Sequence, residues 1–251
     1  MVSAIQTLST GDAHVLAQVF DPESAPQAPA AVIDENLSSD PYITDARLLQ
    51  QLKERERSAI KEIEACPSKD PADKETYYQR ALALFSAIVK EQPQYASAYN
   101  NRAQLVRWRY GDRGTLIQSS TWNQDVYTAL SGALEDLDTA ISHVSPTNPT
   151  TPVSPAQGRL LAQAHTQRAA ILYAASKDVA VAQKAGNSVL TGSRHQQWDR
   201  MKFEEEGSRS FFVAGVYGSE IGKAMAVKAN PYARLCGGIV KEALKREGAC
   251  G

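Results

Sequence analysis

The sequence predicts an all-α fold in which helical hairpins stack side by side as a short right-handed solenoid. Three observations predict it. Tyr99, Ala103 and Val106 fall at i, i+4 and i+7, and Ala133, Leu137 and Ala140 repeat that spacing, so each set forms one apolar stripe on a helix. Small residues at Ala103, Ala133 and Ala140 let two such helices approach closely, while Tyr99 and Leu137 fill the space between turns. The stripes then recur along the chain. Ala81, Phe85 and Ile88, and again Gly207, Phe211 and Ala214, copy the second helix of the hairpin; His165, Ala169 and Leu172 copy the first, with Gln167 and Arg168 standing where Asn101 and Arg102 stand earlier.

This alternation is the signature of tetratricopeptide-type repeats, and three hairpins follow from it. Their spacing departs from the regular period of about 34 residues because insertions lie inside the units. The expected organisation is a short N-terminal helix and a Pro/Ala-rich linker over 1–43, three repeats over 44–217, and capping helices over 218–251. Insertions are expected at about 112–131, 145–156 and 179–193.

In chain order, Asp12 to Phe20 reads as a short amphipathic helix whose Val15, Leu16, Val19 and Phe20 would dock on the repeats. Thr44 or Asp45 offers an N-cap for a helix running to about Cys66, with Leu48, Leu49, Leu52, Ala59, Ile60 and Ile63 on one side and the charged run KERERSAIKEIE as its solvated face. Pro67 to Pro71 breaks the chain before a second helix over Lys74 to Gln92. The next first helix opens near Gln94 and ends near Gly111, and an irregular loop precedes an extended second helix. After Ile141, SPTNPTTPVSP is a stiff extended connector. The third unit opens near Ala156, is interrupted at about Val179 to Ser193, and ends in a helix over Gln196 to Tyr217. Ser219 to Ala229 reads as helical, and Asn230-Pro231 restarts a last helix that would turn Leu235, Ile239 and Leu244 inward and seal the stack.

Composition narrows the function classes. Lys plus Arg is 27 against 28 for Asp plus Glu in 251 residues, so no net field favours nucleic acid or an anionic membrane. The three cysteines, Cys66, Cys236 and Cys250, have neither zinc-finger nor CxxC spacing and read as free thiols of a reducing compartment. The N-terminus lacks the pattern of a signal peptide, and no apolar run approaches the roughly 20 residues of a membrane span. A cytoplasmic protein with no cofactor, no metal and no nucleic-acid or membrane partner is expected. His14, His143, His165 and His195 never fall at ligand spacing, and Gly218 to Ala224 lacks both the length and the Ser or Thr of a phosphate loop. RWRYGDR, Arg107 to Arg113, could stack on RNA bases, but it reads more simply as the cationic end of a helix beside a Trp for partner contact. Arg102 and Arg168 are expected to pair with acids on the adjoining helix, Glu135 or Asp138 in the case of Arg102, and Cys236 to be a buried residue of the cap.

The blocks VLAQVFDPES (15–24), ASAYNNRAQ (96–104), GALEDLDTAI (132–141) and NPYARLC (230–236), in that order, resemble the tetratricopeptide repeat protein 36 family, of which this chain is a longer form. The resemblance implies a non-enzymatic adaptor associated with the 70-kDa heat-shock chaperone, as a cochaperone, and with tyrosine catabolism through protection of 4-hydroxyphenylpyruvate dioxygenase. Stacked hairpins by themselves supply a groove lined by the first helix of each repeat, able to hold an extended peptide or a helix. The expected groove face is Asn100, Asn101, Gln104, Arg107 and Trp108 in the second repeat, with Gln163, Thr166, Gln167 and Tyr173 in the third. Repeats that clamp a chaperone's C-terminal carboxylate pair such an Asn with cations on the third repeat. Here Asn101 fits, but Gln163 and Gln167 stand in the cationic places, so the clamp is incomplete. Three readings stay open: a chaperone-linked adaptor, a dedicated stabiliser of one metabolic enzyme, and an RNA-binding helical repeat.

Overall fold

The structure is a computed structural model that describes residues 17, 30–67, 70–114, 116–117, 123–148, 150–185, 195 and 198–238. Its helices begin where capping chemistry puts them. Helix α1 (Ala46–Glu64) starts on Asp45, whose carboxylate accepts from the amides of Arg47 and Leu48. α2 (Pro71–Glu91) starts on Asp70, with Pro71 opening the helix rather than only breaking the chain before it. α3 (Ala96–Tyr110) has no side-chain cap and ends at Gly111, where φ is +75°. α4 (Gln124–Val144) is capped by Asn123, and α5 (Pro155–Lys184) by a reciprocal box between Ser154 and Gln157. α6 (Arg200–Val216) and α7 (Glu220–Ala229) start on Asp199 and Ser219. Helical backbone resumes at 231–238.

Each helix packs on the next, and α5 also meets α3 and α7, so the hairpins α1/α2, α3/α4 and α5/α6 stack as the stripes predict. Tyr78, Ala81, Phe85 and Ile88 of α2, Leu130, Ala133 and Leu137 of α4, and Ile171 and Leu172 of α5 join one continuous core. A side chain as large and as fully buried as Phe85 stabilises the fold by roughly 2–3 kcal/mol through burial alone. Glycines set the tightest crossings. A Cβ at Gly222 would lie 2.7 Å from both the Gly215 nitrogen and the Phe211 carbonyl oxygen, so only glycine allows α7 this close to α6.

The structure departs from the sequence reading in its polar interior and at its edges. Glu56, in the middle of the charged run taken as solvated, is buried, because Leu52, Glu56 and Ala59 fall at i, i+4 and i+7 on the inward stripe. Ile60 turns partly outward instead. Arg102 pairs with Asp136, at 2.7 and 2.6 Å, rather than with Glu135 or Asp138, and Asp138 binds Arg168. α5 runs on through Val179 to Lys184, where an interruption was expected, and Val179 and Ala182 are buried on it. Asp178 of that extension accepts from Arg113 Nε and from the Gly114 amide, both at 2.6 Å, and so holds the loop after α3. Leu235 is exposed and Cys236 is half-buried, because the 231–238 helix turns Pro231 and Ala233 inward and adds polar contacts from Tyr232 and Arg234. The expected docking of Asp12 to Phe20, and the inward turn of Ile239 and Leu244, lie outside the described residues, Ala17 being helical.

Those polar contacts explain NPYARLC. Asn230 Oδ1 accepts from the amides of Tyr232 and Ala233, capping the helix as expected, while Tyr232 donates to Glu205 at 2.9 Å. Arg234 reaches Glu204, a carboxylate with 1% side-chain exposure that also binds Arg200 and Lys177. An extended strap runs ahead of α1. Ala31 N–H donates to Val216 O, Val153 N–H donates to Val32 O, and Asp34 N–H donates to Val153 O.

Candidate functional site

One face of the stack, lined by α1, α3, α5 and the start of α7, carries two adjoining cavities with Gln104 between them. The smaller, about 190 Å³, is mainly apolar, with Ile60 and Ile63 of α1 facing Leu105 and Trp108 of α3 over Phe85, and it also carries Glu64 and Asn101 on its lining. The larger, about 410 Å³, lies between Arg107 of α3, the run Arg159 to Gln167 of α5, and Tyr217 to Ile221 at the α6–α7 turn. None of the side chains lining the larger half is acidic.

The groove residues expected from sequence divide by what they touch. Asn101, Gln104, Arg107, Trp108, Gln163, Thr166 and Gln167 line the two cavities. Asn100 does not. It is buried and accepts from Gln167 Nε2 at 2.9 Å, tying α3 to α5. Tyr173 lies elsewhere as well, edge-on to Phe211 between α5 and α6 and beneath the ammonium of Lys177.

Several lining groups are engaged inside the protein. Asn101 Nδ2 donates to Glu56 Oε1 and Tyr95 OH to Glu56 Oε2, both at 2.8 Å. Burial pushes the Glu56 carboxyl above the usual carboxylate range, and the bonds from Ser97, Tyr95 and Asn101 pull against it. Arg107 forks onto Asp112 and reaches Gln167 Oε1 with its remaining nitrogen at 3.3 Å. Thr166 donates to the Ala162 carbonyl and shares a 3.0 Å bond with Ser219, whose hydroxyl caps the Gly222 amide. Arg109 pairs with Glu75 and Arg113 with Asp178, so each arginine of RWRYGDR carries an internal carboxylate; the ring of Trp108 sits under Lys74. The segment Gly218 to Ala224 is a helix-to-helix turn with Gly218 at φ +91°, not a strand-to-helix phosphate loop.

Glu56, Arg159 and Ile221 were not among the residues expected from sequence to shape this face. Two carried a signal. Glu56 completes the Leu52–Ala59 stripe, and Arg159 falls one turn ahead of Gln163 on the same stripe of α5 as Gln163 and Gln167. Among the described residues, no group of three or more His, Cys, Asp or Glu could hold a metal ion, and no helix is long and apolar enough to cross a membrane.

With the geometry in hand, comparison with known proteins gives its relatives. The chain is 35% identical over 248 residues to the L-tyrosine degradation gene cluster protein hmgX of Aspergillus fumigatus, covering 96% of this chain and 93% of that one. It is 30% identical over 239 residues to tetratricopeptide repeat protein 36 of Danio rerio, covering 95% and 94%. Against the protein of the same name in Xenopus tropicalis it is 28% identical over 199 residues, or 79% and 67%. No family model and no solved structure matches.

Proposed function

Since the chain belongs to the tetratricopeptide repeat protein 36 family, we propose that it is a non-enzymatic, cytoplasmic protein-binding adaptor of tyrosine degradation that holds a segment of a partner in its groove. The observation that carries the reading is the groove itself, a continuous face on the first helices of the hairpins with an apolar half and an acid-free half. The tyrosine link comes from the name of the Aspergillus relative, whose similarity runs nearly end to end.

The partner we favour is an enzyme of tyrosine catabolism, 4-hydroxyphenylpyruvate dioxygenase being the one the family resemblance implies. Capture of the 70-kDa heat-shock chaperone is the second reading. Against a carboxylate-terminated chaperone tail stands Asn101, whose amide is already held by the protein's own Glu56, with uncharged Gln163 and Gln167 in the cationic places.

Mixing purified full-length protein with the dioxygenase, and separately with the chaperone, tests the reading by size-exclusion chromatography and thermal melting. Co-elution with the dioxygenase and a raised melting temperature for it are expected. Co-elution with the chaperone alone would select the second reading, and co-elution with neither would overturn both.

A further inference from the structure

We infer that the groove takes an extended segment of the partner, with an acidic side chain in its larger half and a bulky apolar side chain in its smaller half. The inference rests on the protein-binding reading and names the chemistry of what is bound.

The groove's polar groups separate into those engaged within the protein and those left over. Asn101 is held by Glu56, Gln167 by Asn100 and Arg107, Thr166 and Ser219 by each other, and Arg107 by Asp112. Among the described lining residues, Gln104, Gln163 and Arg159 have neither a side-chain hydrogen bond nor an ion pair, and the same holds for Tyr217 in the larger half and for Glu64 and the Trp108 ring nitrogen in the smaller. Two carboxamides, one guanidinium and a phenol hydroxyl therefore face a partner across the larger half, and the one unpaired carboxylate of the groove lies at the other end.

Their chemistry selects the ligand. A carboxamide both donates and accepts, which matches the main chain of an extended peptide; a helix has already paired those groups internally. Arg159 is exposed in a cavity lined by no acid, so this half complements a carboxylate. The other half, with Ile60 39% exposed at its rim, suits a side chain such as Leu or Phe. The two halves adjoin at Gln104, so one continuous extended segment can reach both. A terminal carboxylate would need several convergent donors, and the donors that could converge are bonded inside the protein.

The test is selection by full-length protein from a random array of twelve-residue peptides, acetylated and amidated at their ends. The selected peptides should share one Asp or Glu and one Leu, Ile, Phe or Trp at a fixed spacing. Arg159→Glu should weaken them about tenfold and shift selection towards Lys or Arg, and Ile60→Asp should remove the apolar preference. Both variants change exposed positions, and unchanged helical circular dichroism controls for folding. Selection without an acidic residue, an identical set with Arg159→Glu, no selection at all, or binding only to peptides with a free C-terminus would each overturn the inference. If wild type and both variants bind the dioxygenase equally, the protein-binding reading stands and this inference falls.

Discussion

Two buried glutamates, one near each end of the stack, are compensated in opposite ways. Glu56, at the junction of α1 and α3, receives bonds from the neutral groups of Tyr95 and Asn101, while Glu204, on α6, is ringed by Arg200, Lys177 and Arg234. Both side chains are withdrawn from water. A carboxylate held by neutral donors keeps its desolvation cost and can shed it by taking a proton; one ringed by cations orders whatever carries those cations. The contrast predicts that the first junction responds to pH, while the second governs whether the C-terminal helix is attached.

The largest effect belongs to Glu204. Glu204→Ala strands three cations against α6 and should cost on the order of 3 kcal/mol in urea denaturation, with amide exchange accelerated across 231–238. Glu56→Ala should cost less, about 2 kcal/mol, by leaving the Tyr95 hydroxyl and the Asn101 amide without their acceptor. Equal losses in the two variants would erase the distinction.

The pH response sharpens it. Because the folded-state pKa of Glu56 is raised, the folded protein binds its proton more tightly than the unfolded chain, and this contribution fades as pH rises from the ordinary glutamate range of about 4.3 through the raised value. His165 runs the other way. Burial, reinforced by Arg168, lowers it to about 4, so its contribution is complete above the unfolded value near 6.5 and is lost as pH falls towards 4. Denaturation across pH 4 to 7 should show Glu56→Gln gaining on the wild type as pH rises and His165→Gln gaining as pH falls. Parallel wild-type and variant curves would remove both assignments. The smallest effect is that of Tyr232→Phe, about 0.5–1 kcal/mol, since it removes a single bond to a half-buried Glu205 and leaves Glu204 in place.

The helices were legible because apolar stripes at 3.6-residue spacing and good caps act locally. Ionic pairing was not, because it depends on which way each turn faces. Asp136 lies three residues after Ala133, on the stripe that meets α3, so it reaches Arg102; Asp138, two positions further on, turns to Arg168 of the next hairpin. The groove was legible in part. Helix-stripe reasoning put Gln104, Gln163 and Thr166 on the face that carries the two cavities, but it could not separate Asn101, Arg107 and Thr166, which complete internal networks, from Arg159, whose side chain has no bond among the described residues. Tyr173 was misplaced for a related reason. An aromatic on a first helix can face either the groove or the hairpin partner, and Phe211 claims it.

The strap ahead of α1 bears on how the molecule unravels. A linear array of repeats senses only nearest neighbours and can fray from either end. Here Ala31 is bonded to Val216, and Val32 and Asp34 to Val153, so the entrance to the first hairpin is tied to the connector that leads into the last hairpin and to the end of its second helix. Loss of an outer hairpin must therefore break contacts at the opposite terminus as well. The stack is thereby made closer to a single cooperative unit than to a row of separable ones, because the strap closes a long loop between its two ends.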